Sequence, residues 1–273
     1  MRTVSEHAGV GLKGAEAAKV FFVGAGPGAA DLLTFRGAAA IAQADIVIFA
    51  GSLVDKALAD HARADAEIVD SSTLTLEDMH RIYQRALDER LVVARLHSGD
   101  PALYGAIGEQ IACLDELGID WEIIPGVSSL AAAAAALGCE LTVPGKVQSV
   151  VVTRLPGRTP VPTRESVRSF AAHRATMALF LSCARAALMQ RELLAGGYPQ
   201  DTPCGVVHRA SWPDQTVLRC ELGDLASSLQ AARIHRSGLV LVGEALRRPA
   251  ARSKLYDPAF GHRFRRPTLP GGH

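Results

Sequence analysis

The chain has few of the residues that build disulfide, zinc or membrane-spanning structures. Its five cysteines stand far apart without a C-x-x-C pair, so we expect no disulfide framework or zinc ribbon, and a reducing compartment, the cytoplasm, fits. The nine histidines never take the H-x-x-x-H spacing, and we predict no metal site. The longest uncharged apolar stretch, residues 123–139, contains proline, glycine and two serines, so we predict no membrane span.

Lysine is scarce, and the charges of the two signs nearly cancel. Of the 29 basic residues 24 are arginine and 5 are lysine, against 28 acidic residues, which leaves a formal net charge of +1. No overall field favours nucleic acid or an anionic membrane, and neither is an expected partner. We attribute most of the arginine excess to codon bias. The alternative is recognition of carboxylates, which a planar guanidinium binds better than an ammonium does.

The chain also lacks the common catalytic signatures. It has no Ser-His-Asp ordering, no G-x-S-x-G elbow, no P-loop lysine and no H-E-x-x-H. We therefore assign no catalytic residue and no general base, and expect any reactivity to come from substrate and cofactor.

Apolar strands and helices alternate through the first half of the chain. We predict strands at residues 20–23, 46–49, 67–69, 91–97 and 121–124, separated by helices at residues 35–42, 54–59, 76–89, 104–116 and 129–137. This alternation is typical of a mostly parallel sheet covered on both faces. The alanine run at residues 131–136 gives the last helix a smooth face, which favours packing against another helix over contact with a flat ligand.

The rhythm changes after a predicted linker at residues 140–147. Further strands are predicted at residues 148–154, 176–182, 204–210, 216–221 and 239–243, with helices near residues 165–172, 185–195 and 222–232. The short connection at residues 211–215 requires a hairpin, so this second sheet is mixed. We predict two α/β domains, residues 20–143 and 144–246, with a ligand cleft between them, an N-terminal extension (1–19) and a C-terminal tail (247–273).

The turn after the first strand matches G-x-G-x-x-G/A and then departs from it. Gly24, Gly26 and Ala29 occupy the pattern, but Pro27 interrupts the turn and a loop continues to a plausible helix cap at Thr34. The strand at residues 46–49 is followed by no carboxylate that could bind a ribose. A nicotinamide oxidoreductase is therefore a weak alternative, and another ligand must need this open backbone.

Two loops follow strands at the edge where open α/β sheets bind ligands. One is Ser98-Gly99-Asp100-Pro101, in which Gly99 permits close approach and Asp100 offers an acceptor; equally, Asp100-Pro101 could simply begin a helix. The other is Pro125-Gly126-Val127-Ser128-Ser129, whose hydroxyls could cap the next helix or face a ligand.

Two segments of the second half carry arginine or tryptophan beside prolines. Residues 153–162 hold three prolines with Arg154 and Arg158, which suits either a surface connection or a stiff polyanion site. Trp212, in the hairpin turn, is expected to pack in the core or within the turn rather than to serve as a ligand platform.

Four of these blocks together resemble the tetrapyrrole methyltransferase family, over roughly residues 20–246. They are residues 23–28 with 31–34, residues 99–101, residues 125–129, and the second-domain strands. The resemblance implies the tetrapyrrole methylase fold, and a cytoplasmic homodimer that binds S-adenosyl-L-methionine between two α/β domains, releases S-adenosyl-L-homocysteine and methylates ring carbons. A protein that only sequesters tetrapyrroles is the binding-only alternative.

Further blocks are most similar to the branch that methylates carbon 11 of precorrin-4, giving precorrin-5 on the way to cobalamin. They are residues 50–54, 97–107, 153–162 and 211–214. Thr153-Arg154 stands where the branch acting on uroporphyrinogen III has Thr-Gly-His, which counts against that branch. Cobalt-precorrin-4, carbon 20 of precorrin-2, carbon 17 of precorrin-3B and uroporphyrinogen III remain alternatives.

The resemblance also implies site residues. The family's cofactor contacts carry over to Pro27, Gly99, Asp100, Pro101, Leu103, Ser128, Ser129, Leu181, Ala210 and Gly238. Because such a substrate carries several carboxylates, the candidate substrate contacts are Arg154, Arg158, Arg36 and Arg185.

Overall fold

The computed structural model describes residues 17–51, 54, 56–247, 257–261 and 263–267. The chain divides into two compact units, Met1–Ser129 and Leu130–His273. Most of the predicted N-terminal extension (1–19) and C-terminal tail (247–273) lies outside the described residues, as do Ser52 and Leu53 of the block at residues 50–54. Within the described residues, no helix is long and apolar enough to cross a membrane.

The first unit is built on a parallel sheet, as the alternation of strands and helices predicted. The strands lie side by side in the order β3-β2-β4-β1-β5, and every neighbouring pair is parallel. Their bounds are β1 (Lys19–Gly24), β2 (Ile46–Phe49), β3 (Glu67–Asp70), β4 (Val92–His97) and β5 (Asp120–Ile124). All the strands therefore end at one edge of the sheet, which we call the first carboxyl edge.

Apolar side chains cover both faces of this first sheet. One face packs against α1 (Phe35–Gln43) and the other against α2 (Leu76–Glu89) and α3 (Ile107–Leu117). Thr34 caps α1 as predicted, because its hydroxyl accepts a hydrogen bond from the amide of Gly37 at 3.0 Å. The helix predicted at residues 54–59 is instead a 3-10 helix at Lys56–His61.

The second unit contains a mixed sheet, and the predicted hairpin joins two of its strands. The order is β6-β7-β10-β8-β9; β6 and β7 are parallel, and the other neighbouring pairs are antiparallel. Their bounds are β6 (Val150–Arg154), β7 (Thr176–Phe180), β8 (Pro203–His208), β9 (Thr216–Glu221) and β10 (Gly238–Val242). The ends of β6, β7 and β8 and the start of β10 therefore lie at one edge of the sheet, which we call the second sheet edge.

One helix belongs to a different unit from the one predicted for it. We expected α4 (Ser129–Leu137) in the first domain, packed against another helix. Its buried Ala133 and Leu137 instead pack with side chains of the second sheet, among them Val207 and Leu241. The division between the units accordingly falls after Ser129, the first residue of this helix, rather than at residue 143, because burial of its apolar face ties the helix to the second sheet.

The other face of the second sheet is covered by short helices. They are α5 (Val167–Ala171), α6 (Ala186–Ala195) and α7 (Leu225–Ala231), and a single apolar cluster joins them to β7, β8 and β10. The sequence placed each of these helices within a few residues of its observed position. The sheet of the second unit is thus covered on both faces, like that of the first.

Candidate functional site

The turn after β1 is held open by backbone contacts rather than by a helix. Gly26 adopts a φ of +77°, and its amide and carbonyl each bond to Gly99, at 3.2 Å and 2.7 Å. Pro27 is buried beside it, and α1 begins only at Phe35. A dinucleotide-binding turn would open its helix within the glycine pattern, so this geometry does not support nicotinamide binding.

Three chain segments meet at the first carboxyl edge with no room for side chains. A Cβ on Gly24 would lie 2.4 Å from the Cα of Gly126, and a Cβ on Gly126 would lie 2.2 Å from the carbonyl oxygen of Gly99. The loops after β1, β4 and β5 therefore touch through their backbones. Such contact leaves main-chain groups at this edge accessible to a ligand without side chains in the way.

The carboxylate of Asp100 ties two of these loops together. One oxygen accepts a hydrogen bond from the amide of Ala102 at 2.8 Å, and the other accepts one from the amide of Gly126 at 2.9 Å. The alternative in which Asp100-Pro101 begins a helix is wrong, since α3 starts at Ile107. Asp100 thus positions the backbone of the loops after β4 and β5.

The loop after Asp100 holds two ordinary residues in the left-handed region. Tyr104 has a φ of +59° and Ala106 a φ of +48°, which delays the start of the helix predicted from residue 104. Between the loop's ends, a Cβ on Gly105 would lie 2.2 Å from the carbonyl oxygen of Pro101. Each left-handed residue costs on the order of 1 kcal/mol, so the surrounding contacts hold this loop in one shape.

The remaining predicted cofactor contacts of the first unit surround this loop. Pro101 is buried, Leu103 is half-buried, and Ser128 and Ser129 are both half-buried. A Cβ on Gly99 would lie 3.5 Å from the amide of Ser129, so that serine adjoins the loop after β4. The structure therefore brings Gly99, Asp100 and Ser129 to one place.

A buried histidine lies directly behind the first carboxyl edge. His97 is the last residue of β4, it is 8% exposed, and among the described residues its Nε2 has no hydrogen-bond partner. Burial, together with the charge of Arg95, lowers the pKa of His97 to about 4. The side chain is therefore neutral at pH 7, packed against the ring of Phe22 at a centroid distance of 5.9 Å.

The second sheet edge carries the cofactor contacts predicted for the second unit. Leu181 follows β7, Ala210 lies two residues beyond β8, and Gly238 begins β10 opposite His208. Leu181 is 74% exposed and has a φ of +52°, whereas Ala210 is buried. The strand directions thus place these three residues along one edge, although they are far apart in sequence.

A buried serine that the sequence did not single out joins two strand ends at this edge. The hydroxyl of Ser182 donates to the carbonyl of Phe180 at 2.7 Å and accepts from the amide of Leu155 at 2.9 Å. It is 1% exposed, so both bonds are shielded from water. A polar residue two positions beyond a buried strand was the available signal. The serine fixes the turn that presents Leu181.

The hairpin turn is braced by an arginine. The Arg209 guanidinium lies 4.1 Å from the centre of the Trp212 ring and donates to Asp214 at 2.7 Å. Trp212 therefore packs within the turn, as predicted. Arg209 and Ser211 have φ values of +50° and +66°, so the brace keeps Ala210 between two left-handed residues.

The four candidate substrate arginines differ in what they contact. Arg154 donates to the hydroxyl of Thr159 and to carbonyl oxygens of its own loop, including that of Pro160 at 3.0 Å, and Arg185 donates to the carbonyl of Pro156. Both guanidiniums therefore stiffen the proline loop. In contrast, Arg158 is exposed and makes no hydrogen bond or ion pair with another described residue.

The fourth candidate arginine lies in the first unit, beside an exposed aromatic ring. Arg36 stands in the first turn of α1 and approaches Glu122 at 3.9 Å. Its neighbour Phe35 is 98% exposed, a feature that the sequence did not single out. An exposed ring next to a guanidinium can take a ligand with an apolar face and an anionic rim.

Comparison with known proteins shows the class to which this architecture belongs. The profile of the tetrapyrrole (corrin/porphyrin) methylases matches residues 19–226. The precorrin-4 C(11)-methyltransferase of Pseudomonas aeruginosa is 47% identical over 247 residues, covering 90% of this chain and 98% of that protein. The chain therefore belongs to the tetrapyrrole methylase family.

Two solved structures show the same fold. The structure of a cobalt-precorrin-4 methyltransferase of cobalamin biosynthesis superposes with a TM-score of 0.82 at 41% identity, covering 84% of this chain and 95% of the other. Uroporphyrin-III C-methyltransferase from Thermus thermophilus, complexed with S-adenosylhomocysteine, superposes with a TM-score of 0.71 at 28% identity, covering 86% and 96%. The predicted fold class, two α/β units with a parallel and a mixed sheet, is confirmed.

Proposed function

We propose that this chain transfers the methyl group of S-adenosyl-L-methionine to carbon 11 of precorrin-4, giving precorrin-5 and S-adenosyl-L-homocysteine. The observation that carries the proposal is the 47% identity, over 90% of the chain, with a precorrin-4 C(11)-methyltransferase. The S-adenosylhomocysteine complex of the more distant relative supports the choice of methyl donor. Cobalt-precorrin-4 is the second candidate substrate, because the relative with a TM-score of 0.82 is named for it.

The geometry suits a reaction that needs placement more than it needs acid or base. The methyl group of a sulfonium is already activated, and an enamine-like carbon of a partly reduced tetrapyrrole is already nucleophilic. In-line transfer therefore gains most from proximity and from exclusion of water. The backbone contacts of Gly24, Gly99 and Gly126, fixed by the Asp100 carboxylate, supply rigid main-chain groups for the donor. We assign no general base.

The donor is proposed to contact residues of both units. In the first unit these are the residues of the carboxyl edge described above, namely Pro27, Gly99, Asp100, Pro101, Leu103, Ser128 and Ser129. In the second unit they are Leu181, Ala210 and Gly238, along the second sheet edge. Isothermal titration with S-adenosylhomocysteine and with NAD tests this choice of ligand. Heat of binding with NAD alone would overturn it.

The carboxylates of the substrate are proposed to meet arginines that the fold leaves available. Arg158 is the strongest candidate because it is exposed on a loop that the guanidiniums of Arg154 and Arg185 stiffen. A stiff loop loses little entropy when it holds a charged group for a ligand. Arg36 and the exposed ring of Phe35 form a second candidate contact, with one group for the rim of the macrocycle and one for its face.

Replacement of Arg158 by alanine tests the substrate contact. We expect KM for the tetrapyrrole to rise about tenfold, since a hydrogen bond to a charged group is worth about 1.5–3 kcal/mol, while KM for the methyl donor stays unchanged. Arg164→Ala is the matched control, because Arg164 is also exposed on this segment and lies 3.7 Å from Glu165. Unchanged turnover and affinity in Arg158→Ala would remove that residue from the site.

The reaction itself is tested by incubating the protein with labelled methyl donor and precorrin-4, and separately with cobalt-precorrin-4. We expect NMR to find the label on carbon 11 of one of them. Label on another ring carbon would move the chain to another branch of the family. Binding of both ligands without methyl transfer would leave a protein that only sequesters tetrapyrroles.

We also propose that the protein acts as a homodimer in the cytoplasm, which the family resemblance implies. Light scattering of the purified chain tests the dimer, with an expected mass of twice the 28.8 kDa of one chain. A single-chain mass at micromolar concentration would contradict it. Cell fractionation tests the compartment, and recovery of the protein outside the cytoplasmic fraction would overturn that part of the proposal.

A further inference from the structure

Two cysteines that are separated in sequence face each other in the second sheet. The antiparallel register pairs Cys204 of β8 with Cys220 of β9. Residues opposite each other in an antiparallel pair lie on the same face, with Cα atoms about 4.5–5.5 Å apart. That separation lies within the range of about 4.4–6.8 Å that a disulfide spans. The backbone therefore already places the two residues where a cross-strand disulfide can form.

The two thiols have different neighbours. The Cys204 Sγ donates to the carbonyl oxygen of Thr202 at 3.7 Å, whereas Cys220 lies beside Cys204 and Ser228 of α7. The neighbouring Cys204 and Ser228 side chains stabilise the Cys220 thiolate, so the pKa of Cys220 is lowered, whereas the neighbouring Cys220 sulfur and burial raise the pKa of Cys204. Cys220 is thus the nucleophile of the pair, and Cys204 is the resolving thiol.

The position of the pair in the sheet gives an oxidant access to one partner only. The strand β9 is the outermost strand of its sheet, and Cys220 is half-buried there, whereas Cys204 is 2% exposed within the apolar cluster. Cys183, by comparison, is buried and donates to the carbonyl of Gly238 at 3.3 Å. The reachable thiol is therefore also the one with the lowered pKa.

We propose that Cys204 and Cys220 form a redox modification site, which a small-molecule disulfide such as glutathione disulfide converts into a cross-strand protein disulfide. The Cys220 thiolate attacks one sulfur of glutathione disulfide, forms a mixed disulfide and releases one glutathione thiolate. Cys204 then gives its proton to solvent, attacks the Cys220 sulfur and releases the second glutathione. The two thiols lose two electrons and two protons, and glutathione disulfide gains them.

This site is independent of the proposed methyl transfer. In a reducing compartment the pair stays a dithiol, and a shift of the glutathione pool towards its disulfide form would close it. We expected no disulfide framework, because the cysteines are scattered along the chain. The hairpin between β8 and β9 brings together the two that are 16 positions apart.

Peptide mapping of the whole chain tests the proposal. The protein is incubated with glutathione disulfide, blocked with N-ethylmaleimide and digested with trypsin without reduction. We expect a cross-linked pair of peptides, residues 192–209 with residues 220–233, whose mass is 2 Da below the sum of the two and which dithiothreitol separates. The intact protein should lose two of its five alkylatable thiols.

Single serine variants separate the two steps. Cys204→Ser should accumulate glutathione on Cys220, because the resolving thiol is missing, whereas Cys220→Ser should take up glutathione at Cys204 far more slowly. Retention of all five alkylatable thiols in the unaltered protein would overturn the proposal, and so would a lasting glutathione adduct on Cys220 without cross-linking. Both readings come from the unaltered chain, so they hold even where a variant fails to fold.

Discussion

The candidate binding edges of the two units are shaped in opposite ways. At the first carboxyl edge, glycines remove side chains so that Gly24, Gly99 and Gly126 touch through their backbones. At the second sheet edge the side chains remain, and the backbone of Leu181 and Arg209 adopts the left-handed region instead. One edge is therefore set by close packing of main chain, and the other by local strain that neighbouring contacts offset.

Each edge nevertheless contains one polar side chain that links two strand ends. Asp100 bonds to the amide of Gly126, and Ser182 bonds to the amide of Leu155. The acceptor is a charged carboxylate at the first edge and a neutral hydroxyl at the second. The comparison predicts that substitutions at the first edge cost more stability than the matching substitutions at the second.

The largest effect is expected from adding a methyl group at the first edge. In Gly126→Ala the new Cβ would lie 2.2 Å from the Gly99 carbonyl oxygen, and backbone cannot move aside as a flexible side chain can. We expect the free energy of unfolding to fall by about 3 kcal/mol or more and affinity for S-adenosylhomocysteine to drop. Chemical denaturation and calorimetry measure the two effects.

The control for this change is Gly108→Ala in α3, where an added Cβ meets nothing within 4 Å. It should raise stability by about 0.5–1 kcal/mol, because alanine is the better helix former. Equal stability of the Gly126→Ala variant and the unaltered protein would mean that the three loops do not touch as described.

The next largest effect is a dependence of stability on pH that comes from His97. Because its pKa is about 4 in the folded chain and near 6.5 when unfolded, the unfolded state binds the proton first as the pH falls. This contribution is complete above about pH 6.5 and is lost progressively towards pH 4. Between pH 7 and pH 4.5 it amounts to about 2–3 kcal/mol of unfolding free energy.

Urea unfolding at both pH values, with His97→Leu as the variant, measures this contribution. The variant should lose less stability than the unaltered protein on going from pH 7 to pH 4.5, by the amount given. His235→Leu, at an exposed position, is the control and should keep the original dependence. Identical pH dependence in the His97 variant and the unaltered chain would contradict the burial of that imidazole.

A smaller effect is expected where the two linking side chains are compared directly. Asp100→Asn keeps one acceptor but turns an amide group towards a backbone donor, and we expect a loss of about 2 kcal/mol. Ser182→Ala leaves the buried Leu155 amide without its acceptor, at about 1–2 kcal/mol. Thermal and urea unfolding rank the two. A larger loss in the serine variant would reverse the comparison of the edges.

The smallest effect separates a bracing arginine from a ligand-facing one. Arg154→Ala removes hydrogen bonds to Thr159 and Pro160 and should lower the unfolding free energy by about 1 kcal/mol. Arg158→Ala should change stability by less than about 0.5 kcal/mol, because the side chain is exposed and makes no hydrogen bond or ion pair with another described residue. Equal losses in both variants would mean that the loop is not braced by Arg154.

The strands and helices could be predicted from the sequence because the signals that mark them are local. The strand at Ile46–Phe49 and the helix at Leu76–Glu89 have the predicted bounds, since apolar periodicity and the Thr75–Asp78 capping box mark them. The unit to which α4 belongs could not be predicted in this way. Its alanines fit several partners equally well, and only the tertiary fold decides that they pack on the second sheet.

The sequence indicated which loops follow the strand ends, but it could not show which contacts the individual side chains of those loops make. A glycine after a strand indicates open backbone, yet nothing local shows that Gly24 and Gly126 approach each other across about 100 positions. Asp100 reads equally well as a helix cap, and Arg154 as a free cation, until their partners are known. Long-range contacts therefore decided which polar groups brace the site and which are available to a ligand.

The three-glycine contact also limits how this protein can change over evolutionary time. A methyl group added at Gly24 or Gly126 would lie within 2.4 Å of main-chain atoms, so a second mutation that shortens a neighbouring side chain cannot create the missing space. A genetic search for suppressors of Gly126→Ala should therefore recover reversions to glycine and little else. We therefore expect descendants of this protein to keep Gly24, Gly99 and Gly126 together, whichever tetrapyrrole they bind.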